Sequence, residues 1–396
     1  MTTYNPRRFA IASGLLAGLA ILLLLQSISS INFKREPELS ISLLPMNGLA
    51  REQFAFTEFA AKVTDPKETQ AAAEYASGQA RRALRSKPLA PKSHAILAMA
   101  EPDSSVRSEI ISLAASLNRR DLALQGLWLN EKLSEGNFPA TIEALDQILR
   151  VHPQHSEQFF PVLAEALEDQ RTIPEFAQLL QGPLPWKTGF LRYAVRQRQL
   201  QPNLALLRMQ IGFEGEPIDR SLIAGLVRQG LYSEAHGLYA HIIENPPVGS
   251  ELTIGPWRSA YPPFDWYFVN DAGFRVQPSL NGETLDIAVR SGRGGVIIEK
   301  FIPAPTGAAQ VRIKHRIAPL QQLRDVRLQA NCAGSGTPYF DGRFKPGEVV
   351  FDLPQAPQGC DFVSLVIYAR AWTGQSSLSG TIESFEMVEP NFNKET

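Results

Sequence analysis

Cysteine is scarce in this sequence, and its absence from most of the chain limits the chemistry available. Only Cys332 and Cys360 occur among 396 residues, and they form no CxxC pair, so thiol redox catalysis is not expected. An exported chain would meet an oxidising environment, where a bridge closing a loop of about 28 residues stabilises a fold by about 3 to 4 kcal/mol in the chain-entropy model. We therefore expect a structural disulfide between Cys332 and Cys360 rather than two free thiols.

A surplus of charge of either sign is also lacking. Lysine and arginine total 39 against 40 acidic residues, which leaves a formal net charge of −1. No dense basic stripe interrupts this balance, so electrostatics give no reason to expect nucleic acid as a partner.

The motifs of common catalytic and metal sites are missing as well. The sequence contains no Gly-x-Ser-x-Gly elbow, no His-Glu-x-x-His helix and no P-loop lysine pattern. Its closest histidine pairs, His152 with His155 and His236 with His241, have no third ligand nearby. We expect no catalytic residues, no metal site and no cofactor, and an unrecognised carbohydrate-active enzyme is the least favoured alternative.

One long hydrophobic run is present, at the amino terminus. Arg7 and Arg8 lead into an uncharged stretch from Phe9 to Leu25, and about twenty apolar residues at 1.5 Å each cross a hydrocarbon core of about 30 Å. A cleaved secretory signal is the alternative, although its apolar core is usually shorter and Ser27-Ile28-Ser29 is a poor cleavage site. The run predicts a single transmembrane helix.

The charges beside this run predict its orientation. Arg7 and Arg8 lie on its amino side, and basic residues near a span tend to stay in the cytoplasm. We therefore expect a single-pass protein of the bacterial inner membrane whose carboxyl-terminal domains are periplasmic. The predicted organisation is a cytoplasmic tip and anchor at 1–31, a linker at 32–48, a helical array at 49–247 and a β-sandwich at 248–396.

The segment 49–247 has the periodicity of short amphipathic helices. Apolar residues recur every three or four positions and are interrupted by proline or glycine, as in 156–169. Two stretches share one spacing, because seventeen positions separate Gly136 from Pro153 and also Gly230 from Pro247.

These two stretches resemble the second helix of a tetratricopeptide repeat, in which glycine ends the first helix, a small residue allows close packing and proline ends the second. Ala235 and Tyr239 match the small and bulky positions, whereas Thr141 and Leu145 match them less well. The resemblance implies an α-solenoid whose concave face binds a peptide or a protein. An irregular helical domain is the alternative.

The segment 248–396 changes to alternating, β-branched and aromatic runs separated by turn residues. Eight strands are predicted, at 266–269, 284–289, 296–301, 310–317, 326–331, 349–353, 362–369 and 380–388. Short strands at this density indicate an antiparallel sandwich. Their order, from the aromatic entry at 263–266 to the closing run at 382–388, resembles the jelly rolls of carbohydrate-binding modules and galactose-binding-like domains.

Aromatic side chains form the candidate binding surface of this sandwich. Flat rings stack against sugars while neighbouring polar groups bond the hydroxyls. The candidate glycan-binding residues are Trp257, Tyr261, Trp266, Tyr267, Tyr339 and Trp372. The alternative for any one of them is a place in the sandwich core.

Taken together, the fold class expected is multidomain α plus β, with a transmembrane helix, a tetratricopeptide-like solenoid and a jelly-roll sandwich. The chain resembles envelope proteins that accompany surface-polysaccharide assembly or export. This resemblance implies a non-catalytic scaffold with envelope protein partners and polysaccharide contacts. The alternative is a glycan-binding protein whose helices act only as a spacer.

Overall fold

A computed structural model describes residues 6–63, 65–212, 216–243, 251–253 and 257–388. Within these ranges fourteen α-helices precede eleven β-strands. The predicted α plus β fold class is confirmed, because a long apolar helix leads, many helices follow and antiparallel sheets come last.

The helices occupy the first two thirds of the chain. They are α1 (Pro6–Asn32), α2 (Pro37–Leu43), α3 (Gly48–Lys62), α4 (Thr69–Ser86), α5 (Pro91–Ala100), α6 (Ser104–Leu117), α7 (Leu122–Ser134), α8 (Phe138–Val151), α9 (Ser156–Glu168), α10 (Ile173–Leu180), α11 (Lys187–Ala194), α12 (Gln201–Gln210), α13 (Glu216–Arg228) and α14 (Tyr232–Ile242).

The strands follow in the last third. They are β1 (Glu251–Thr253), β2 (Tyr267–Phe268), β3 (Phe274–Pro278), β4 (Leu285–Val289), β5 (Arg293–Pro303), β6 (Ala309–Ala318), β7 (Val326–Cys332), β8 (Pro338–Arg343), β9 (Glu348–Leu353), β10 (Phe362–Ala371) and β11 (Leu378–Val388). All eight predicted strands are present, whereas β1, β3 and β8 were not predicted.

The chain divides into two compact units. The amino-terminal unit is Met1–Ala166 with Leu184–Trp186, and the carboxyl-terminal unit is Leu167–Pro183 with Lys187–Thr396. Helices α10 to α14 therefore share a unit with the strands. The domain boundary predicted between residues 247 and 248 lies outside the described residues and stays a prediction.

In the amino-terminal unit, α1 is long and apolar enough to cross a membrane, over Phe9–Asn32. Length and composition are equally compatible with a signal sequence at this position. Residues 32–48, predicted as a linker, contain α2, which begins at Pro37 because the fixed φ of proline suits the first helical turn.

The helices of the amino-terminal unit pack through small residues. Ala55, Ala73, Ala76 and Ala80 are fully buried together with Ile96, in a core that joins α3, α4 and α5. Alanine lets helix axes approach closely, so these helices cover one another's apolar faces although each is too short to be stable alone.

The two glycines that the repeat spacing singles out lie at helix–helix turns. Gly136 separates α7 from α8 at φ +66°, and Gly230 separates α13 from α14 at φ +79°. This left-handed conformation favours glycine, so both turns are the ones the sequence predicts.

In the carboxyl-terminal unit, the strands form two antiparallel sheets. One has the order β3-β4-β11-β6-β9, with β1 also paired to β11, and the other has the order β2-β5-β10-β7-β8. From β4 to β11, the strands β4, β6, β9 and β11 belong to the first sheet, and β5, β7, β8 and β10 belong to the second.

One hydrophobic core lies between the two sheets. Alternate residues of both sheets enter it, such as Val311 and Ile313 of β6 and Leu365 and Ile367 of β10. The predicted antiparallel sandwich is therefore present. Because each strand presents its other side chains outward, the unit also has two outer sheet faces.

The predicted disulfide is present at one end of this sandwich. Cys332 at the end of β7 is bonded to Cys360, with a Cα–Cα distance of 5.4 Å, and the chain has no free cysteine. The bridge joins the end of β7 to the loop that enters β10.

Candidate functional site

The strand register defines the outer face of the sheet β2-β5-β10-β7-β8, because directly opposed residues of antiparallel strands point to the same side. Ser364 of β10 is opposite Phe301 of β5, and Tyr368 is opposite Val296 of β5 and Arg327 of β7. The face therefore has an aromatic end near Phe301 and a more polar end near Arg327.

Helix α14 covers the aromatic end of this face. The ring of Tyr232 lies 5.8 Å from that of Phe301, and the ring of His236 lies 5.2 Å from Phe264 and 5.3 Å from Phe362. Burial lowers the pKa of His236, so the neutral imidazole packs among these rings. We call this region the covered half.

A buried carboxylate fixes the same contact. The Tyr239 hydroxyl donates to Asp265 Oδ1 at 2.9 Å, and the backbone N–H of Tyr261 donates to Asp265 Oδ2 at 2.9 Å. Burial, followed by the negative charge of Asp265, raises the pKa of Tyr239. The phenol therefore keeps its proton and remains a donor, which makes this cluster structural.

The polar end of the face stays open around Trp372, which follows β10. The Trp372 indole Nε1 donates to Asp325 Oδ2 at 3.1 Å, and the Arg370 guanidinium lies 4.4 Å from the ring centroid. The Arg370 side chain lies against the backbone of Gly294. A Cβ atom added to Gly294 would be only 2.6 Å from the Nε atom of Arg370, so glycine leaves the room that this side chain occupies. With these contacts made, 45% of Trp372 is still exposed.

Polar side chains continue the open region across β7 and β8. Arg327 Nη1 lies 2.8 Å from Asp341 Oδ2, and Gln329 Nε2 donates to the same oxygen at 3.2 Å. The resulting cleft has a volume of about 280 Å³, near the lower limit of about 300 Å³ for ligand pockets. We call it the Trp372 cleft, and its residues are Asp325, Arg327, Gln329, Tyr368, Arg370 and Trp372.

Two of the predicted binding aromatics lie in the sandwich core. Trp266 is 1% exposed, and its ring centroid lies 5.0 Å from that of buried Trp257. The Lys300 ammonium sits 5.4 Å from the Trp266 centroid, and burial lowers the pKa of this lysine although Asp265 opposes the shift. Neither indole presents a face on which a glycan could stack.

The other predicted aromatics differ in exposure. Tyr261 is half-buried beside the Asp265 cluster, and Tyr339 is half-buried in β8 against the sandwich core. Burial raises the pKa of both phenols. Tyr267, on the edge strand β2, is 48% exposed. The structure therefore leaves Tyr267 and Trp372 as the accessible members of the predicted set.

Sequence reasoning missed the polar members of the Trp372 cleft. It singled out aromatic residues, whereas Asp325, Arg327 and Arg370 shape the space around the indole. The alternation along β10 could have found Arg370, since Ser364, Tyr368 and Arg370 fall on the side opposite the core residues.

A second cleft, of about 500 Å³, lies among the helices of the carboxyl-terminal unit. Its lining includes the apolar residues Val195, Pro217 and Ile218 and three exposed arginines, which are Arg192, Arg196 and Arg228. In the described part of the chain, no carboxylate pairs with these three guanidinium groups, whereas Arg208 pairs with Asp219 at 2.8 Å. We call it the arginine cleft.

Histidine, cysteine and carboxylate side chains do not gather into a metal-like group of three or more anywhere in the described residues. His315, for example, is buried and its Nε2 contacts the Lys345 carbonyl at 2.8 Å. Burial lowers its pKa, which fits a packed, neutral side chain.

Comparison with known proteins gives distant structural likenesses alone. No family model and no curated protein match the chain. Accessory secretory protein 1, 2 and 3 of Streptococcus pneumoniae gives a crystal-structure match at 13% identity and a TM-score of 0.21, over 30% of this chain and 85% of that one. The Gap123 glycosylation-associated complex of Streptococcus agalactiae matches at 10% identity and a TM-score of 0.22. This match covers 33% of this chain and 47% of that one. Scores this low support no argument about this chain.

Proposed function

We propose that this chain is a non-catalytic adaptor of the bacterial envelope that binds glycan in the Trp372 cleft of its β-sandwich. The observation that carries the proposal is the contrast within one sheet face. Helix α14 buries the aromatic end, while the polar end keeps an exposed indole ringed by charged and amide groups. That combination suits a sugar ring, which needs an apolar face and several hydrogen-bond partners.

The geometry of Trp372 supports this assignment further. Its N–H is held by Asp325 and one face is held by Arg370, so the ring is fixed before a ligand arrives. Fixed aromatic groups bind at a lower entropic cost than mobile ones. The volume of about 280 Å³ suits one or two sugar rings of a longer glycan rather than a large enclosed ligand.

The predicted jelly roll belongs to this proposal. The alternation of β4 to β11 between the two sheets, with β11 between β4 and β6 and β10 between β5 and β7, supports a double Greek key. The tetratricopeptide-like nature of the helices is supported by the left-handed turn glycines Gly136 and Gly230.

Anchoring in the inner membrane with the sandwich in the periplasm is likewise proposed. The apolar helix α1, the basic pair Arg7 and Arg8 before it, and the disulfide Cys332–Cys360 support it. A disulfide persists in compartments outside the reducing cytosol, which agrees with this orientation.

The test is isothermal titration calorimetry. Envelope polysaccharides of the same bacterium are titrated into the full-length protein, purified in detergent. Trp372→Ala should abolish saturable binding. Tyr75→Ala is the matched control, because Tyr75 is also an exposed ring beside a cation, with Lys62 Nζ at 5.0 Å. Unchanged binding by Trp372→Ala, or no binding by the unaltered protein, would remove the glycan proposal.

A protein partner is the second function proposed, and the arginine cleft is the observation that favours it. Three guanidinium groups and apolar side chains in the lining of one cleft suit an acidic segment with apolar side chains, since arginine binds carboxylates in a bidentate manner. Replacing Arg192, Arg196 and Arg228 by serine should remove a specific partner from crosslinked membrane complexes.

The control for this triple variant loses three positive charges from a different surface, on α4. Arg81, Arg82 and Arg85 on α4 are exposed, and their replacement by serine should leave the crosslinked partners unchanged. An identical partner set for both triple variants would reject the arginine cleft as the contact.

A further inference from the structure

The last turn of α1 is part of the folded amino-terminal unit. Large apolar side chains from Phe9 to Leu24 are exposed on α1, whereas Ser29 is 0% exposed. Ser29 Oγ donates to the Ser40 carbonyl at 2.8 Å and accepts from Asn47 Nδ2 at 2.8 Å. The end of α1 is thus bonded to α2 and to the start of α3.

Asn47 makes this junction part of the fold. Its Oδ1 accepts from the backbone N–H groups of Leu49 and Ala50, both at 3.1 Å, and so caps α3. The one amide side chain therefore holds the amino end of α3 and the hydroxyl of Ser29 at the same time. A flexible tether between an anchor and a domain would have no such contacts.

Three exposed apolar residues stand next to this junction along the chain. Leu39 adjoins Ser40, Met46 adjoins Asn47, and Leu49 lies two residues further on; Met46 is 80% exposed. We call Leu39, Met46 and Leu49 the collar. Such exposure costs free energy in water, since apolar side chains are stabilised when they are removed from it.

The length of α1 places the collar at the surface of a bilayer. Phe9 and Ser29 are twenty residues apart, which corresponds to about 30 Å of helix, the thickness of the hydrocarbon core. When Phe9 lies at one boundary of that core, Ser29 and the groups bonded to it lie at the other.

Exposed charged residues of both signs flank the collar, with Glu36 and Glu38 just before Leu39. Lys34 and Arg35 are exposed just beyond α1, and Arg51 Nε donates to the Pro45 carbonyl at 2.7 Å, next to Met46. Lysine and arginine side chains keep their charged ends at the headgroup level while their stems cover apolar surface, which suits this position of the collar.

We propose that the collar inserts into the interfacial layer of the bilayer that α1 spans, so that the first helices of the amino-terminal unit rest on the membrane. This inference rests on the anchoring role proposed for α1. It further implies that α1 is retained, because cleavage near Ser29 would remove a buried hydrogen-bonded residue.

The test is site-directed spin labelling of the full-length protein in vesicles of three parts phosphatidylcholine and one part phosphatidylglycerol. Both native cysteines are disulfide-bonded, so an introduced cysteine is the labelled one. Labels at Met46→Cys, Gly18→Cys and Leu117→Cys would be compared for accessibility to oxygen and to a water-soluble nickel complex. Leu117 on α6 is the matched control, an exposed apolar residue outside the collar.

We expect the ratio of oxygen to nickel accessibility to be highest at Gly18 and severalfold higher at Met46 than at Leu117. Equal ratios at Met46 and Leu117, with Gly18 in lipid, would overturn the collar and leave the anchor standing. A water-accessible Gly18 would overturn the anchor itself.

Discussion

The two halves of one sheet face, on the strands β5, β10 and β7, differ in exposure. At one end Phe301 and Phe362 lie under α14, where His236 and Tyr239 pack against Phe264. At the other end β7 and β10 present polar groups, and the exposed indole of Trp372 follows β10. One face of the sheet therefore packs against α14 at one end and is exposed to solvent at the other.

This comparison shows why aromatic residues alone do not locate a site. The rings in the covered half are enclosed on several sides and stabilise the packing of a helix on a sheet. Trp372 has a fixed orientation and an exposed face. Burial therefore decides which ring contributes to stability and which is available to a ligand.

The largest difference between the halves should be in stability. Phe264 is buried against His236, Tyr239 and Phe362, so Phe264→Ala should lower the free energy of unfolding by about 3 to 5 kcal/mol. Trp372→Ala, at the exposed end, should lower it by less than about 1 kcal/mol. Urea denaturation measures both, and equal losses would erase the distinction between the halves.

The disulfide should have the next largest effect, since it joins the end of β7 to the loop that enters β10. Replacing Cys332 and Cys360 together by serine should lower the free energy of unfolding by about 2 to 4 kcal/mol. Glycan binding should survive in conditions where the variant is folded, because the bridge lies outside the Trp372 cleft. A variant as stable as the parent protein would show that the bridge contributes nothing.

The smallest effect on stability should come from protonation of His236. Burial holds its pKa below the ordinary value of 6.5, so the unfolded chain binds a proton in a pH range where the folded chain does not. Stability is therefore complete above pH 6.5 and is lost as the pH falls from there toward the folded pKa.

His236→Leu should flatten the slope of unfolding free energy between pH 7 and about pH 5. His94 and His315, whose pKa values are also lowered by burial, are common to both proteins, so their contributions cancel in the comparison. Identical slopes would place His236 in water rather than among the rings.

Much of the fold follows from sequence pattern, and the exceptions have physical causes. The β-branched alternation of β6 and β10 predicts strands because it matches the two-residue period of a sheet. Strand β8 escaped prediction because its residues, from Pro338 to Arg343, are only partly buried or exposed and so lack a clear apolar alternation.

The site was less predictable than the fold. Trp266 and Trp372 are equally aromatic in sequence, and only the packing of two sheets and a helix distinguishes the buried ring from the exposed one. Asp325 and Arg327 are more than forty residues from Trp372 in sequence. The pairing of β7 with β10 brings them to the same cleft. Such long-range register is not encoded in local periodicity.

Footprinting of Trp372 tests the central claim most directly. The full-length protein in detergent would be oxidised by hydroxyl radicals with and without an envelope polysaccharide of its bacterium, and labelled side chains quantified by mass spectrometry. We predict strong protection of Trp372 on glycan addition, no change at exposed Tyr75, and little labelling of buried Trp266 in either state. Saturable glycan binding with Trp372 labelled as before would contradict the assignment of the cleft.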